Sequence, residues 1–242
     1  RQMCIRDSNM SIKNVSFIGL GVMGYPMAGH LQKNGYNVTV FNRTDSKAKK
    51  WVEEYGGQMG KTPNEACLNA EIVFMCVGRD QDIIEVMEGN NGILSSAKGG
   101  LTIVDHTTAS AEIAKTYFTK LQGKNISFLD APVSGGQVGA ENGVLSIMLG
   151  GEKKVFEVVR PVLESYGKAI ELIGPSGSGQ IAKMINQICI AGLVQGLSEG
   201  MAFGKKANVD MEKVLSVISK GAAQSWHCLL YTSDAADDTS GV

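Results

Sequence analysis

Three glycines near the start of the chain have the spacing of a phosphate-binding loop. Gly19, Gly21 and Gly24 form the pattern GxGxxG, after an apolar run at residues 15–18 and before a stretch with helical periodicity. There the first glycine permits a tight turn, the second lets backbone amides approach a pyrophosphate, and the third lets the helix pack on the strand. The amino end of that helix would face the phosphate charge. A glycine turn without a ligand is the alternative. The predicted dinucleotide site also includes the intervening residues Leu20, Val22 and Met23.

The residues after the second predicted strand bear on which dinucleotide binds. An NAD site usually has Asp or Glu there, which accepts hydrogen bonds from the ribose hydroxyls. This chain instead has Asn42, Arg43 and Thr44, and Asp45 comes only afterwards. A carboxylate would repel a 2′-phosphate, whereas Arg43 would attract it and could stack on adenine. The sequence therefore predicts NADP, with NAD as the alternative if Arg43 is a solvated surface residue and Asp45 contacts the ribose.

The pattern around these residues alternates strands with helices. This order is typical of an α/β, doubly wound parallel sheet with helices on both faces. The predicted strands are residues 15–18, 36–41, 71–77, 101–104 and 126–129. The predicted helices are residues 23–34, 46–55, 80–87 and 110–121, with a short helix that begins after Thr62 and Pro63.

The pattern changes after Asp130. Strands are predicted at residues 144–149 and 169–173, with a helix between them at residues 153–166 that contains Pro161. A long helix is predicted from 180 to about 207, and it is rich in glycine and alanine. Each glycine inside a helix costs about 1 kcal/mol relative to alanine. Several together indicate close helix packing or a cofactor that lies against the helix.

These patterns divide the chain into two predicted domains. Residues 10–173 form the cofactor-binding domain, and residues 174–227 form the start of a helical domain. Residues 1–9 and 228–242 show neither helical nor strand periodicity, and we expect both tails to be non-native. Disordered native termini are the alternative.

Three separated blocks resemble one family of enzymes. Residues 19–31 are similar to its cofactor motif, residues 130–136 with 139–151 to its substrate motif, and residues 174–187 to its catalytic motif. The blocks occur in order and at family spacing, and the resemblance covers residues 12–226. The sequence thus resembles the β-hydroxyacid dehydrogenases, which include 3-hydroxyisobutyrate dehydrogenase, tartronate semialdehyde reductase and the glyoxylate/succinic semialdehyde reductases. The resemblance implies a Rossmann domain followed by an all-helical domain.

The resemblance also implies that Lys183 is the catalytic residue. Reduction of a carbonyl needs a hydride on carbon and a proton on oxygen, and a lysine can donate that proton. Burial and a cationic nicotinamide nearby would lower its pKa. Asn186 and Gln187 follow three and four residues later, on the same helical face, where they could orient the lysine or the substrate. This Asn-Gln pair is more similar to the tartronate semialdehyde type than to typical 3-hydroxyisobutyrate enzymes. A solvated surface lysine is the alternative.

The substrate motif offers donors for a carboxylate. Ser134 has a hydroxyl, and Gly135 and Gly136 can present backbone amides without side-chain hindrance. The matching family positions bind the acid group of the substrate. A turn without a ligand is the alternative for Ser134.

Further cofactor contacts are implied by the resemblance alone. Thr108 matches a position near the nicotinamide and its ribose. Val77 and Gly78 match another cofactor contact, although the family commonly has Leu-Pro there. His106 has no evident partner and is predicted to be structural, and His30 is predicted to lie on a helix surface or to pack.

Composition limits the class of protein. The 242 residues carry 23 Lys+Arg against 24 Asp+Glu, a formal net charge of −1, which argues against a nucleic-acid binder. The five cysteines form no CxxC pair, so neither a disulfide framework nor a metal site is expected, and the cytoplasm is the predicted location. No run is expected to reach the roughly 20 apolar residues that span a bilayer.

Taken together, the sequence predicts an NADP-dependent oxidoreductase that interconverts a small β-hydroxy acid and its aldehyde. A non-catalytic dinucleotide-binding module or inactive fragment is the alternative. The resemblance implies that the intact protein is a homo-oligomer and that family members continue past Trp226. We therefore expect this chain by itself to be poorly stable and inactive. The motifs do not choose among the substrates of the family.

Overall fold

The computed structural model describes residues 12–95 and 97–225. The predicted tails at residues 1–9 and 228–242 lie outside the described residues. By contacts within the chain, the protein divides into two compact units, residues 1–183 and residues 184–242. The division falls inside the long helix.

Nine strands form one sheet in the described part of the chain. They are β1 Asn14–Ile18, β2 Asn37–Phe41, β3 Gln58–Met59, β4 Ile72–Met75, β5 Thr102–Asp105, β6 Ser127–Asp130, β7 Val133–Ser134, β8 Leu145–Gly150 and β9 Gly167–Gly174.

The described helices alternate with these strands as far as α7. They are α1 Gly24–Lys33, α2 Asp45–Tyr55, α3 Pro63–Cys67, α4 Asp80–Glu88, α5 Ala111–Gln122, α6 Gly136–Glu141, α7 Lys153–Leu163, α8 Ser178–Lys206 and α9 Met211–Ile218.

The first six strands of the sheet run parallel in the order β3-β2-β1-β4-β5-β6. The sheet then changes direction, because β8 pairs antiparallel with both β6 and β7, and β9 pairs parallel with β8. The predicted doubly wound sheet is therefore confirmed, with antiparallel strands added at one edge. Since Ile18 pairs with both Phe41 and Met75, the carboxyl ends of β1, β2 and β4 meet at one edge of the sheet.

Alternate side chains of the central strands enter two separate cores. Phe17 and Phe74 belong to the core that includes Trp51 of α2, whereas the neighbouring Ile18 and Val73 belong to the other core. That second core includes apolar residues of α4 and α5. Because side chains alternate across a strand, helices cover both faces of the sheet.

Local signals explain where several helices begin and end. Thr62 Oγ1 accepts a hydrogen bond from Glu65 N at 3.1 Å, and Pro63 is the first residue of α3, as predicted. The prediction missed β3, β7 and α6, because two to six residues are too short to show a period. It also extended α7 to residue 166, whereas the helix ends at Leu163, two residues after Pro161.

The second unit contains the later part of α8 and the helix α9. Asp210 caps α9 by accepting a hydrogen bond from Lys213 N at 3.2 Å. Of the glycines spaced four apart along α8, Gly204 lies against Met211 of α9, whereas no atom lies within 4 Å of where a Cβ would stand at Gly192, Gly196 or Gly200. Close packing, one of the two sequence-based explanations, thus accounts for Gly204 within the described residues.

Helix α8 also corrects one expectation. Over its 29 residues it contains a window with a mean hydropathy of 1.2 and few charges, which is long and apolar enough to cross a bilayer. The prediction that no segment reaches that length is therefore wrong. Only the length and composition of α8 suggest a membrane span, and core helices of soluble proteins can have the same length and composition.

Candidate active site

The glycine loop joins β1 to α1 at the edge where the strands end. Gly19 has φ of +96°, and a Cβ there would collide with the carbonyl oxygen of Cys76. A Cβ at Gly24 would collide with the carbonyl of Gly19 and lie 2.8 Å from the Phe17 ring. At Gly21, by contrast, nothing lies within 4 Å. The first and third glycines thus serve the fold, and the second leaves open space where a ligand could approach the backbone.

Asn42 holds this loop in place. Its Oδ1 accepts a hydrogen bond from Leu20 N at 2.9 Å, and its Nδ2 donates to Thr44 O at 3.1 Å. The side chain therefore fixes the glycine loop against the end of β2. This is a role that the sequence analysis did not assign to Asn42. Leu20 itself is buried, and its backbone N makes the hydrogen bond to Asn42.

A cleft of about 700 Å³ opens beside the loop. This size is within the usual range for small-molecule and cofactor sites. Neither Thr108 nor the substrate motif is part of its lining. The predicted cofactor residues that do line it are Gly19, Gly21, Val22, Met23, Gly24, Asn42, Arg43, Thr44, Val77 and Gly78.

Charged side chains of both signs line the cleft, with Asp82 and Glu85 opposing the cations. The Arg43 side chain is 83% exposed, and its Nη1 lies 3.9 Å from Asp82 Oδ1. Lys47 and Lys61 also line the cleft. Lys47 follows Arg43 closely in the sequence and could have been found from spacing. Lys61 could not, because the short connection between β3 and α3 brings it there.

A hydrogen-bonded path leads from this cleft toward α8. Val77 N donates to Thr107 Oγ1 at 3.0 Å, and Thr107 O accepts from Gln180 Nε2 at 2.7 Å. Gln180 Oε1 accepts from Ala109 N at 3.0 Å. Thr108, the predicted nicotinamide contact, lies between the two backbone groups that Gln180 binds.

A buried carboxylate holds the beginning of α8. Asp130 accepts hydrogen bonds from Gly177 N at 2.7 Å and Gln180 N at 3.1 Å, and Ser176 Oγ lies 3.5 Å away. Asp130 is fully buried at the end of β6. It therefore supplies the acceptor that the first turn of α8 needs. The substrate and catalytic blocks are physically joined through this residue, which no local pattern could show.

The substrate motif forms a tight turn between β7 and α6. Ser134 ends β7, and Gly135 and Gly136 have φ of +129° and +61°. Both angles lie in the region that favours glycine. The predicted acid-binding residues are thus consecutive in one turn, four residues beyond Asp130.

Lys183 lies in the second turn of α8 and is partly buried. Burial lowers the pKa of its ammonium group below the ordinary value for lysine. It is the last residue of the first unit. Asn186 and Gln187 follow on the same helix in the second unit, where Asn186 Nδ2 donates to Gln187 Oε1 at 3.1 Å.

Two buried titratable groups lie at the end of β5. Burial raises the pKa of Asp105 to about 7, and two hydrogen bonds from Thr107 oppose that shift. Burial lowers the pKa of His106 to about 4. The imidazole Nδ1 donates to Ala131 O at 2.7 Å, and Nε2 accepts from the Tyr166 hydroxyl at 2.8 Å. His106 thus has partners that the sequence did not reveal, and both ring nitrogens serve the core.

His30 also has a packing role. Its Nε2 lies 3.0 Å from both Ala140 O and Glu141 O, so it joins α1 to α6. A metal site is not formed among residues 12–95 and 97–225, where no group of three His, Cys, Asp or Glu side chains is suitably placed.

Comparisons with known proteins show the family to which the chain belongs. Residues 14–174 match the family model of the NAD-binding domain of 6-phosphogluconate dehydrogenase. Residues 177–236 match the model described as NAD-binding of NADP-dependent 3-hydroxyisobutyrate dehydrogenase.

Individual proteins are similar over most of the chain. An uncharacterized oxidoreductase of Shewanella frigidimarina is 57% identical over 212 residues, which cover 88% of this chain and 73% of that protein. The 2-hydroxy-3-oxopropionate reductase of Escherichia coli is 36% identical, over 87% of this chain and 72% of the enzyme. The structure of Mycobacterium tuberculosis 3-hydroxyisobutyrate dehydrogenase with L-serine has a TM-score of 0.80 and 26% identity, and the match covers 89% of this chain and 72% of that one.

The sheet, the glycine loop and these matches define the class as an NAD(P)-dependent oxidoreductase with a Rossmann domain followed by a helical region. Within that class, the chain belongs to the β-hydroxyacid dehydrogenase family, of the 3-hydroxyisobutyrate dehydrogenase type.

Proposed function

We propose that the protein is an NADP-dependent enzyme that interconverts a small β-hydroxy acid and its aldehyde, with Lys183 as acid and base. One observation carries this proposal. Asp130, four residues before Ser134, binds the first turn of the helix whose second turn bears Lys183. This link supports the proposal that the turn holds the acid group of the same substrate whose carbonyl receives a proton from Lys183.

The cofactor would occupy the cleft beside the glycine loop. Gly21 leaves room for a pyrophosphate, and α1 presents its amino end there. When bound, NADPH supplies the hydride for reduction. Arg43, Lys47 and Lys61 are cations that could bind a 2′-phosphate, although Asp82 and Glu85 also line the cleft and Asp82 lies 3.9 Å from Arg43. The exposed Arg43 is the residue that supports NADP over NAD.

The residues of this chain would then bind and protonate the substrate. The Ser134 hydroxyl and the amides of Gly135 and Gly136 would donate hydrogen bonds to the carboxylate. Lys183 would donate a proton to the carbonyl oxygen during reduction and accept one from the hydroxyl during oxidation. Its lowered pKa makes the ammonium a better proton donor for reduction, and it raises the fraction of neutral amine that can accept a proton during oxidation.

Substrates of four carbons or fewer are the first to test. The Escherichia coli and Mycobacterium tuberculosis relatives are named for 2-hydroxy-3-oxopropionate and 3-hydroxyisobutyrate. Both molecules carry a carboxylate and a group that is oxidised or reduced two carbons away. We propose that one of them, or glyoxylate or succinic semialdehyde, is the substrate here.

The central test is Lys183→Ala in the intact protein, with Lys154→Ala, at an exposed position of α7, as the matched control. We expect turnover of the Lys183 variant to fall by about 10²- to 10⁴-fold, the usual contribution of a general acid or base. NADPH binding, measured by isothermal titration calorimetry, should persist in both variants. A Lys183 variant with the same turnover as the control would show that the lysine does not act as the acid and base.

We further propose that the intact protein is cytoplasmic and homo-oligomeric. Cys67, Cys76 and Cys189, the described cysteines, are all unpaired, which suits a reducing compartment. The second unit exposes apolar side chains, including Phe203 and Ile188, which a second copy could cover. Sedimentation analysis of the purified protein tests the oligomer, and fractionation of cells tests the location.

A further inference from the structure

Gln180 is held at both its backbone and its side chain. Its side chain is only 1% exposed, its backbone N donates to Asp130, and its amide binds Thr107 O and Ala109 N. A primary amide is suited to this place because it has a donor and an acceptor on one planar group. The two backbone groups that it joins flank Thr108, so Gln180 fixes this loop to the first turn of α8.

The loop at residues 107–109 also contacts a residue that lines the cofactor cleft. Thr107 Oγ1 accepts from Val77 N, and Val77 lines the cleft directly after β4. A change in the position of Val77 would therefore reach Thr107, then Gln180. Lys183 lies three residues beyond Gln180, a spacing that places two side chains on one face of a helix.

We propose that Gln180 is a positioning residue that couples occupancy of the cofactor cleft to the placement of Lys183. The inference rests on the proposed function, since it takes NADPH as the occupant and Lys183 as the catalytic residue. In this arrangement, cofactor bound against Val77 restrains Thr107 and, through Gln180, the first two turns of α8.

The test uses Gln180→Met, because methionine keeps the length and volume of the side chain but lacks both hydrogen-bonding groups. Gln195→Met is the matched control, since Gln195 lies on the same helix, is exposed and, within the described part of the chain, donates its side-chain hydrogen bond to Glu199. Amide hydrogen exchange of each protein is measured with and without NADPH. This readout does not depend on turnover.

In the wild-type chain and in Gln195→Met, we expect NADPH to slow exchange at residues 19–24, 76–79 and 177–183. In Gln180→Met, the slowing should persist at residues 19–24 and 76–79 and be lost at residues 177–183. Retention of the slowing at 177–183 in Gln180→Met would overturn the inference. So would a wild-type chain that is protected at 19–24 but not at 177–183.

Turnover provides a second readout. We expect Gln180→Met to lower kcat by about 10- to 100-fold, the effect of moving a catalytic group by about 1 Å, while NADPH affinity changes little. The deuterium isotope effect on kcat with 4-deuterated NADPH should rise, because hydride transfer becomes slower than the other steps. A role in stability alone would lower the melting temperature and leave the isotope effect unchanged, which would overturn the proposal.

Failure of the proposed function gives a different pattern. A wild-type chain that shows no NADPH protection at residues 19–24 lacks the proposed cofactor site, and both proposals then fall together. A wild-type chain that binds NADPH and reduces substrate, with a Gln180 variant identical to it, contradicts the positioning role alone.

Discussion

The two units use similar apolar residues in opposite ways. In the first unit, Phe17 and Phe74 are fully buried and stack with centroids 6.1 Å apart, with His106 beside them. In the second unit, Phe203 is 76% exposed and Ile188 is 71% exposed. The first unit thus gains stability from burial within the described residues, whereas the second exposes several large apolar side chains to water.

The residues of the candidate site are also divided unequally between the two units. The glycine loop, the cleft, the substrate turn and Lys183 all lie in residues 1–183. Their supports, Asn42, Asp130 and Gln180, lie there too. Asn186 and Gln187, also named as candidates from the sequence, lie in the second unit. Binding of the cofactor should therefore depend on the first unit, and its properties can be compared with those of the second by matched substitutions.

The largest contrast should come from removing one phenylalanine from each unit. Phe74→Ala should destabilise the protein by about 3–5 kcal/mol, because it leaves a cavity in a filled core. Phe203→Ala should change stability by about 0.5 kcal/mol or less, since an exposed ring loses little. Urea unfolding followed by circular dichroism measures both. Equal losses of stability would show that Phe203 is covered in solution and that the two units do not differ in how they use these residues.

A smaller contrast concerns cofactor binding. Arg43→Ala should weaken NADPH binding by about 10- to 100-fold, the equivalent of about 1.5–3 kcal/mol for bonds to a charged group. Binding of NADH, which lacks the 2′-phosphate, should change little. Lys206→Ala, at the end of α8 in the second unit, is the control and should bind NADPH like the wild type. Equal losses of NADPH and NADH affinity would mean that Arg43 does not contact the 2′-phosphate.

The smallest expected effect is a pH dependence confined to the first unit. Asp105 has a folded pKa of about 7 against an ordinary 3.8, so the folded chain holds the proton more tightly. Its contribution to stability is therefore present at low pH and is lost as pH rises from about 4 to about 7. His106, with a pKa lowered to about 4, acts in the opposite direction, since its contribution is lost as pH falls below about 6.5.

Asp105→Asn separates these two contributions. Asparagine keeps an acceptor for Thr107 N but cannot ionise. The variant should gain stability relative to the wild type as pH rises through the window from about 4 to about 7. Urea midpoints at several pH values measure this difference. A difference that stays constant with pH would mean that Asp105 is ionised throughout the window.

Periodicity and turn chemistry predicted most elements of the first unit. The apolar runs gave β1, β4 and β5 within two residues at each end, because buried parallel strands leave continuous apolar segments. Thr62 and Pro63 gave the start of α3. The two-residue strands and α6 carry too few residues for any period, so no such signal could reveal them.

The candidate site residues that the sequence identified belong to local patterns, whereas the supporting residues that it missed are brought together by the fold. Gly19, Arg43 and Lys183 belong to local patterns and blocks. Gln180 and Asp130 act through partners 50 to 73 residues away, which only the order of strands in the sheet brings close. No local signal in the sequence predicted the position of the antiparallel strands. Asp130 pairs with Gly150 at the point where the sheet changes from parallel to antiparallel.

The space around Asp130 has a consequence for how this chain tolerates mutation. A Cβ at Gly150 would lie 2.6 Å from one carboxylate oxygen of Asp130, and a Cβ at Gly179 would lie 2.8 Å from the other. Three positions spread over 50 residues thus share one volume. A substitution at any of the three positions should displace or remove the same carboxylate. The loss of stability from two such substitutions should therefore be smaller than the sum of the two single losses.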